Sequence, residues 1–234
     1  MEARHEVERI ASVYRGYARE GAAGGRWSPA NAGNRAIVAE RLDGLRALFA
    51  TGPVPLDRAR VLEVGCGNGD VLASLVDLGA PADRLCGVDL LPDLVADARA
   101  RHHDLRFEHG NAEALAFADA AFDYVLLFTV LTSILDEEMA RRLAHEVDRV
   151  LAPSGAVVWY DFRVDNPRNR HVRGVGRAGI AALFPGYACH LRSVTVLPPL
   201  ARRLGRATRW AYPLLARLPA LRTHYLGLLR KPAG

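Results

Sequence analysis

The chain has 234 residues, half of them apolar and 24% charged, with a formal net charge of +5. That length supports one well-buried core and is short for two domains. The charged N-terminus is unlike a secretory leader, and no run approaches the roughly 18 apolar residues of a membrane span. Cys66, Cys86 and Cys189 have no CxxC spacing, so neither a disulfide framework nor a metal site is expected. The expectation is a single cytoplasmic domain over residues 1–234.

In chain order, the first segment puts Val7, Ile10, Val13, Tyr14 and Tyr17 on one helical face before "GAAGG" ends it. "RWSPANAGN" predicts a loop, and a second amphipathic helix carries Ile37, Leu42, Leu45 and Phe49. Residues 1–52 form a helical cap on this reading. Residues 60–162 then alternate. The strand-like runs "RVLEVG", "LCGVDL", "LRFEHG", "FDYVLLF" and "AVVWYDF" are separated by helices over Asp70–Leu78, Pro92–Arg101 and Asp136–Leu151, the last stopped by "LAPSG". Such alternation predicts an α/β domain with a parallel sheet. Residues 163–234 read as a polar loop, a short helix "RAGIAALFPG", the strand "CHLRSVTVL", a basic helical insertion and a last strand "THYLGLLRK".

"VLEVGCGNGDV" carries the chemistry. A glycine-rich turn between a strand and a helix lets a ligand approach the backbone and offers it free N–H groups. Gly65, Gly67 and Gly69 read G-x-G-x-G, and Asp70 stands where a dinucleotide fold wants a third glycine. Glu63, two residues before the first glycine, would repel a pyrophosphate and suits a cationic ligand. This stretch resembles the first motif of the class I S-adenosylmethionine-dependent methyltransferases. "GVDLLPDLV", "HGNAEALAFADAAFDYVLLFTVL" and "RVLAPSGAVVWYDF" resemble later motifs of that family in the same order.

The resemblance implies a Rossmann-like seven-stranded, mostly parallel sheet with helices on both faces. It implies S-adenosylmethionine as cofactor and S-adenosylhomocysteine as product. Cofactor contacts are expected from Glu63, Gly65, Cys66, Gly67, Gly69, Asp89, Leu90, Asn111, Ala112, Glu113 and Phe128, with Asp89 on the ribose and Asn111 on the adenine. Asn111 stands where relatives often have Asp, and "VLTS" stands where many have "VLHH", so no histidine role carries over. Cys66 reads as a small packed residue, with no activating base beside it.

Methyl transfer from a sulfonium requires chiefly that the acceptor be held close and in line. A general base helps only a protonated acceptor. Because ligands of open α/β sheets bind at the strands' carboxyl ends, the acceptor side is expected to hold Tyr14, Tyr17, Thr132, Tyr160, Arg163, Asn166 and Arg168. Asp161 and His171 are the candidate bases. The expected reaction is O-methylation of a sugar or natural-product hydroxyl, with an amine or a lipid-linked acceptor at an anionic membrane as alternatives. A cofactor-binding scaffold is the non-enzyme alternative.

Charge is unevenly distributed. Residues 166–234 hold 13 Lys or Arg and no Asp or Glu, leaving 18 basic against 26 acidic residues in the first 165. An anionic partner for the tail follows: an anionic acceptor, or a membrane touched by a helix with Arg202, Arg203, Arg206 and Arg209 opposite Leu200, Leu204 and Ala211. An ordinary solvated helix is the plain alternative. Nucleic acid is not expected, because no base-stacking module is present.

Overall fold

Val61–Val64, the first strand β1, is buried at every residue. A strand covered on both faces reads as a continuous apolar run, and β2 (Leu85–Asp89) does the same. The computed structural model describes residues 2–22 and 28–232. The remaining strands are β3 (Arg106–His109), β4 (Phe122–Phe128), β5 (Leu151–Phe162), β6 (Ala188–Val196) and β7 (Arg222–Arg230). They form one seven-stranded sheet in the order β3-β2-β1-β4-β5-β7-β6. All neighbours pair in parallel except at β7, which is antiparallel to both β5 and β6. The chain reverses direction in strand order beside β1, which opens a ligand crevice at the carboxyl ends of β1 and β4.

Alternate strand residues feed two cores. On one face Leu62, Val125, Leu127, Val157 and Trp159 meet Met139, Leu143 and Val147 of α5 (Glu137–Val150), Ile180 of α6 (Arg177–Leu183), and Val7 and Ile10 of α1 (Glu2–Ala22). On the other, Val61, Tyr124, Leu126 and Val158 meet α2 (Ala32–Ala50), α3 (Asp70–Asp77) and α4 (Pro92–Arg101) through Leu45, Phe49, Leu72, Leu75 and Val95. A third, smaller cluster joins Ile37 to Val196, Ala201 and Tyr212 under α7 (Pro198–Arg203) and α8 (Thr208–Leu215).

Three boundaries differ from the sequence reading. The loop "RWSPANAGN" is partly helix: Asn31 caps α2, its side-chain oxygen accepting from the N–H of Gly33 (2.9 Å) and Asn34 (3.2 Å). Of "GAAGG", Gly21 and Ala22 end α1, and the next three residues lie outside the described chain. "LAPSG" does more than stop α5. Leu151 already pairs with Phe122, and the next pair is Tyr124 with Ala156, so residues 152–155 bulge out of the ladder.

The basic insertion is not one amphipathic helix. Gly205, at φ +51°, separates α7 from α8, and a 3-10 turn at Pro219–Leu221 leads into β7. Arg202 is consequently half-buried rather than aligned with exposed Arg203, Arg206 and Arg209. A single helix over α7 and α8 would need continuous helical φ through a residue held in the left-handed region.

Candidate active site

The glycine loop is built by its backbone. Gly65, Gly67 and Gly69 all have positive φ, at 72°, 53° and 81°. Left-handed backbone disfavours residues with a Cβ, and at Gly69 a Cβ would also lie 2.5 Å from the Phe107 ring. Gly65 and Cys66 donate to the carbonyl of Val88 (2.8 and 3.1 Å), tying the loop to β2. The N–H of Gly67 donates to Asp89 Oδ2 (2.8 Å), and the N–H of Leu91 donates to Oδ1 (2.9 Å). Asp89 is thereby fixed at the carboxyl end of β2, beside the loop. Burial pushes its carboxyl pKa up.

A cavity of about 300 Å³ opens above these residues. Its walls include Glu63, Gly65, Cys66, Gly67, Asp89, Leu90, Asn111, Ala112 and Phe128, all expected on the cofactor side, and Tyr14 and Tyr160, expected on the acceptor side. Arg41 of α2, Leu91, Leu94, Thr129, Val130, Ser133, Ile134, Met139 and Leu143 complete much of the rest. Glu63 is 1% exposed, and burial drives its pKa well above the ordinary carboxyl range, an effect the charge of Arg41 partly offsets. Glu63 Oε2 and Arg41 Nε are both buried without a hydrogen-bond partner among the described residues. The Arg41 guanidinium lies 5.8 Å from the Phe128 ring centre and 5.6 Å from that of Tyr160. Such rings hold a cation in place while leaving its N–H groups available.

Helix α1 covers the cavity. Glu6 Oε1 accepts from the N–H of Leu135 (2.6 Å), and Glu6 pairs with Arg9 (2.7 Å). The Tyr14 hydroxyl lies 3.0 Å from Ser133 Oγ, and Asn169 donates to the Tyr17 hydroxyl (2.8 Å). Ile10 and Tyr14 face the cavity; Tyr17 packs edge-on to Tyr14 behind it.

Several expected site residues do other work. Asp161 is fully buried, and its two carboxylate oxygens accept from the N–H of Thr132 (3.0 Å) and of Phe162 (2.7 Å). It fixes the turn at Leu131–Ser133 from beneath and does not line the cavity. Burial raises its pKa to about 7. His171 is half-exposed and also absent from the walls. The geometry therefore gives neither candidate base access to the cavity. Thr132 donates to the carbonyl of Arg173 (2.7 Å). Arg163 donates to the carbonyl of Arg222 (2.8 Å), and Asn166 accepts from the N–H of exposed Arg168 (3.1 Å), closing a surface turn. Glu113 turns to Arg142 (2.7 Å) and to the Asn111 amide (3.0 Å), and Gly69 serves as the cap of α3. Burial keeps the Cys66 thiol protonated by pushing its pKa up.

Residues 61–155 match the family model described as a methyltransferase domain. That stretch belongs to the methyltransferase domain family. The chain is similar to a demethylmenaquinone methyltransferase of Thermus thermophilus, 34% identical over 141 residues, 53% of this chain and 62% of that protein. It is also similar to phthiotriol/phenolphthiotriol dimycocerosates methyltransferase 1 of Mycobacterium ulcerans, 39% identical over 115 residues, 48% of this chain and 41% of that one. The chain thus spans less than two thirds of these relatives' lengths. Among solved structures, a SAM-dependent methyltransferase of Methanosarcina mazei superposes with a TM-score of 0.57 at 18% identity, over 75% of this chain and 93% of that one. The [4+2]-cyclase SpnF does so with 0.59 at 21% identity, over 84% and 82%. The same fold therefore houses more than one chemistry.

The methyltransferase cofactor fits the walls. Its amino-acid end carries an ammonium and a carboxylate, and the two wall residues with a buried unpartnered atom, Glu63 through Oε2 and Arg41 through Nε, are an acid and a base. Asp89 retains lone pairs for ribose hydroxyls. Asn111 and Ala112, in the wall after β3, stand where the sequence motifs expect the adenine. Arg41 is the residue that the sequence motifs missed. It lies outside the motif region, and its side of α2 is identified only once the helix is packed on the sheet.

Proposed function

We propose that the protein transfers a methyl group from S-adenosylmethionine to an apolar small-molecule acceptor. The bound sulfonium would supply an activated methyl group, so the chain's task is to orient the acceptor and exclude water. The observation that carries this reading is the wall formed by α1, the turn after β4, and α5. Ile10, Val130, Ile134, Met139 and Leu143 are apolar. Its hydroxyls are already engaged: Tyr14 with Ser133, Ser133 with the carbonyl of Thr129 (3.2 Å), and Thr129 with the carbonyl of Phe128 (2.7 Å). A sugar would surrender water to such a wall without equivalent partners, at a cost of about 1–3 kcal/mol for each unpaired group. The relatives named for demethylmenaquinone and for phthiotriol/phenolphthiotriol dimycocerosates accord with an apolar acceptor.

Among the described residues, Glu63 and Asp89 are the only carboxylates in the wall, and no histidine joins them. An acceptor that ionises readily, such as a phenol, suits this better than an aliphatic alcohol. The test is formation of S-adenosylhomocysteine with a panel of apolar phenols and quinols against free sugars. Turnover is expected with the former, and Ile10→Asp should raise their KM at least about tenfold, roughly 1.4 kcal/mol. Turnover confined to sugars, or cofactor binding with no methyl transfer to either class, would refute the reading.

A further inference from the structure

We propose that the α7–α8 insertion is a docking surface for an anionic lipid bilayer. Exposed large apolar side chains are concentrated there: Trp210 (59% exposed), Leu214 (55%), Leu218 (52%) and Leu197 (42%). Trp210 and Leu214 are four residues apart on α8, hence on one side of the helix. Leu218 follows in the next turn, and Leu197 stands where the insertion begins, its N–H donating to the carbonyl of Leu221 where the insertion ends (2.8 Å). Exposed Arg203, Arg206, Arg209 and Arg217 surround them, with no ion pair among the described residues and no acidic residue anywhere after Asp165.

Charge and apolarity together identify the occupant. A nucleic acid would use the arginines but has no place for Leu214 and Leu218. A second copy joined through a two-fold axis would bring the same arginines face to face. A bilayer surface takes both, with apolar side chains entering the headgroup boundary, tryptophan at the interface and arginines on lipid phosphates.

The backing is rigid. The Tyr212 hydroxyl donates to Glu40 Oε2 (2.7 Å) on α2, and α2 packs closely on α7: a Cβ on Gly33 would lie 2.1 Å from the carbonyl oxygen of Ala201. Glu40 precedes Arg41 of the cavity wall. The position is also informative. Strand β6 runs in the same direction as β5, since both are antiparallel to β7, so the insertion leaves the sheet at the edge where the cavity opens. The proposal does not depend on which acceptor is methylated.

The experiment is sedimentation of the full chain with vesicles of pure phosphatidylcholine or of equal parts phosphatidylcholine and phosphatidylglycerol. Binding is expected only to the second and should fall steeply with salt. Arg206→Glu with Arg209→Glu should weaken it at least about tenfold. Trp210→Ser with Leu214→Ser should weaken it comparably, while S-adenosylhomocysteine binding stays unchanged and reports that both variants are folded. Equal binding to both vesicle types, or no binding to either, overturns the proposal. So does unchanged binding by either folded variant. Self-association abolished by Trp210→Ser, without lipid binding, would assign the patch to a second copy instead.

Discussion

Glu63 and Arg41 come from different elements, a strand and a cap helix, yet both line the same cavity with one buried atom that lacks a hydrogen-bond partner among the described residues, Oε2 and Nε. Groups buried in this way normally find partners within the protein. Their pairing with an ammonium and a carboxylate can be separated from the rest of cofactor recognition by shortening the ligand. Replacing Arg41 with Met should weaken S-adenosylhomocysteine binding by about 1.5–3 kcal/mol, roughly ten- to a hundredfold, the worth of a hydrogen bond to a charged group. Methylthioadenosine, which lacks the amino-acid end, should bind the variant as it binds the unaltered protein. Calorimetry with both ligands checks this; equal losses would mean that Arg41 supports the cavity wall instead. Glu63→Gln should show the same ligand dependence. Glu63 was readable in advance because it belongs to a contiguous motif. Arg41 was not, because one arginine on an amphipathic helix looks like any solvated one until the helix is docked. Asp161 misled for the opposite reason: its place at the end of a strand suggests chemistry, but Thr132 and Phe162 claim its oxygens.

Among the elements, the central strands and their helices were legible because their periodicity changes cleanly from runs of buried residues to helical spacing. The two-strand finish was legible too, from the alternation in "CHLRSVTVL", whose first five residues alternate between half-buried and exposed, but the antiparallel direction of its strands was not. The insertion was not, since composition alone does not reveal that Gly205 adopts a left-handed conformation. Helix α1 is a different case. Its apolar face is plain in sequence, but its anchorage is not: Glu6, 8% exposed, holds the N–H of Leu135 and pairs with Arg9. Glu6→Ala removes this anchorage while leaving the sheet untouched. The helix should then open more readily by about 2 kcal/mol, a roughly thirtyfold acceleration of amide exchange in α1. Exchange in β4 and β5 should hold its rate. An equal acceleration in those strands would show that α1 does not open independently.

The whole molecule joins an acidic first part to a tail without Asp or Glu, and two of its buried groups make opposite demands on pH. Burial raises Asp161 from 3.8 to about 7. Its protonated form therefore supports the fold fully below pH 3.8, and that support is lost as the pH rises through about 7. Burial, aided by the charge of Arg41, lowers His224 from 6.5 to about 3. Its neutral form supports the fold fully above pH 6.5, and that support is lost as the pH falls through about 3. Each group alone can impose a slope of up to about 1.4 kcal/mol per pH unit. Between 3.8 and 6.5 the two slopes oppose one another, so the contributions of these two groups largely cancel over this range. Asp161→Asn removes one side of the balance. The amide oxygen can still accept from Thr132, but the bond from the N–H of Phe162 is lost, so the variant starts from a lower stability at acid pH. Its stability should then rise more steeply with pH than that of the unaltered protein, narrowing or reversing the gap by pH 7. Urea unfolding at a series of pH values measures the two curves, and their difference isolates Asp161 because every other titrating group is shared. Parallel curves between pH 4 and 7 would mean that Asp161 ionises as readily in the folded chain as in the unfolded one.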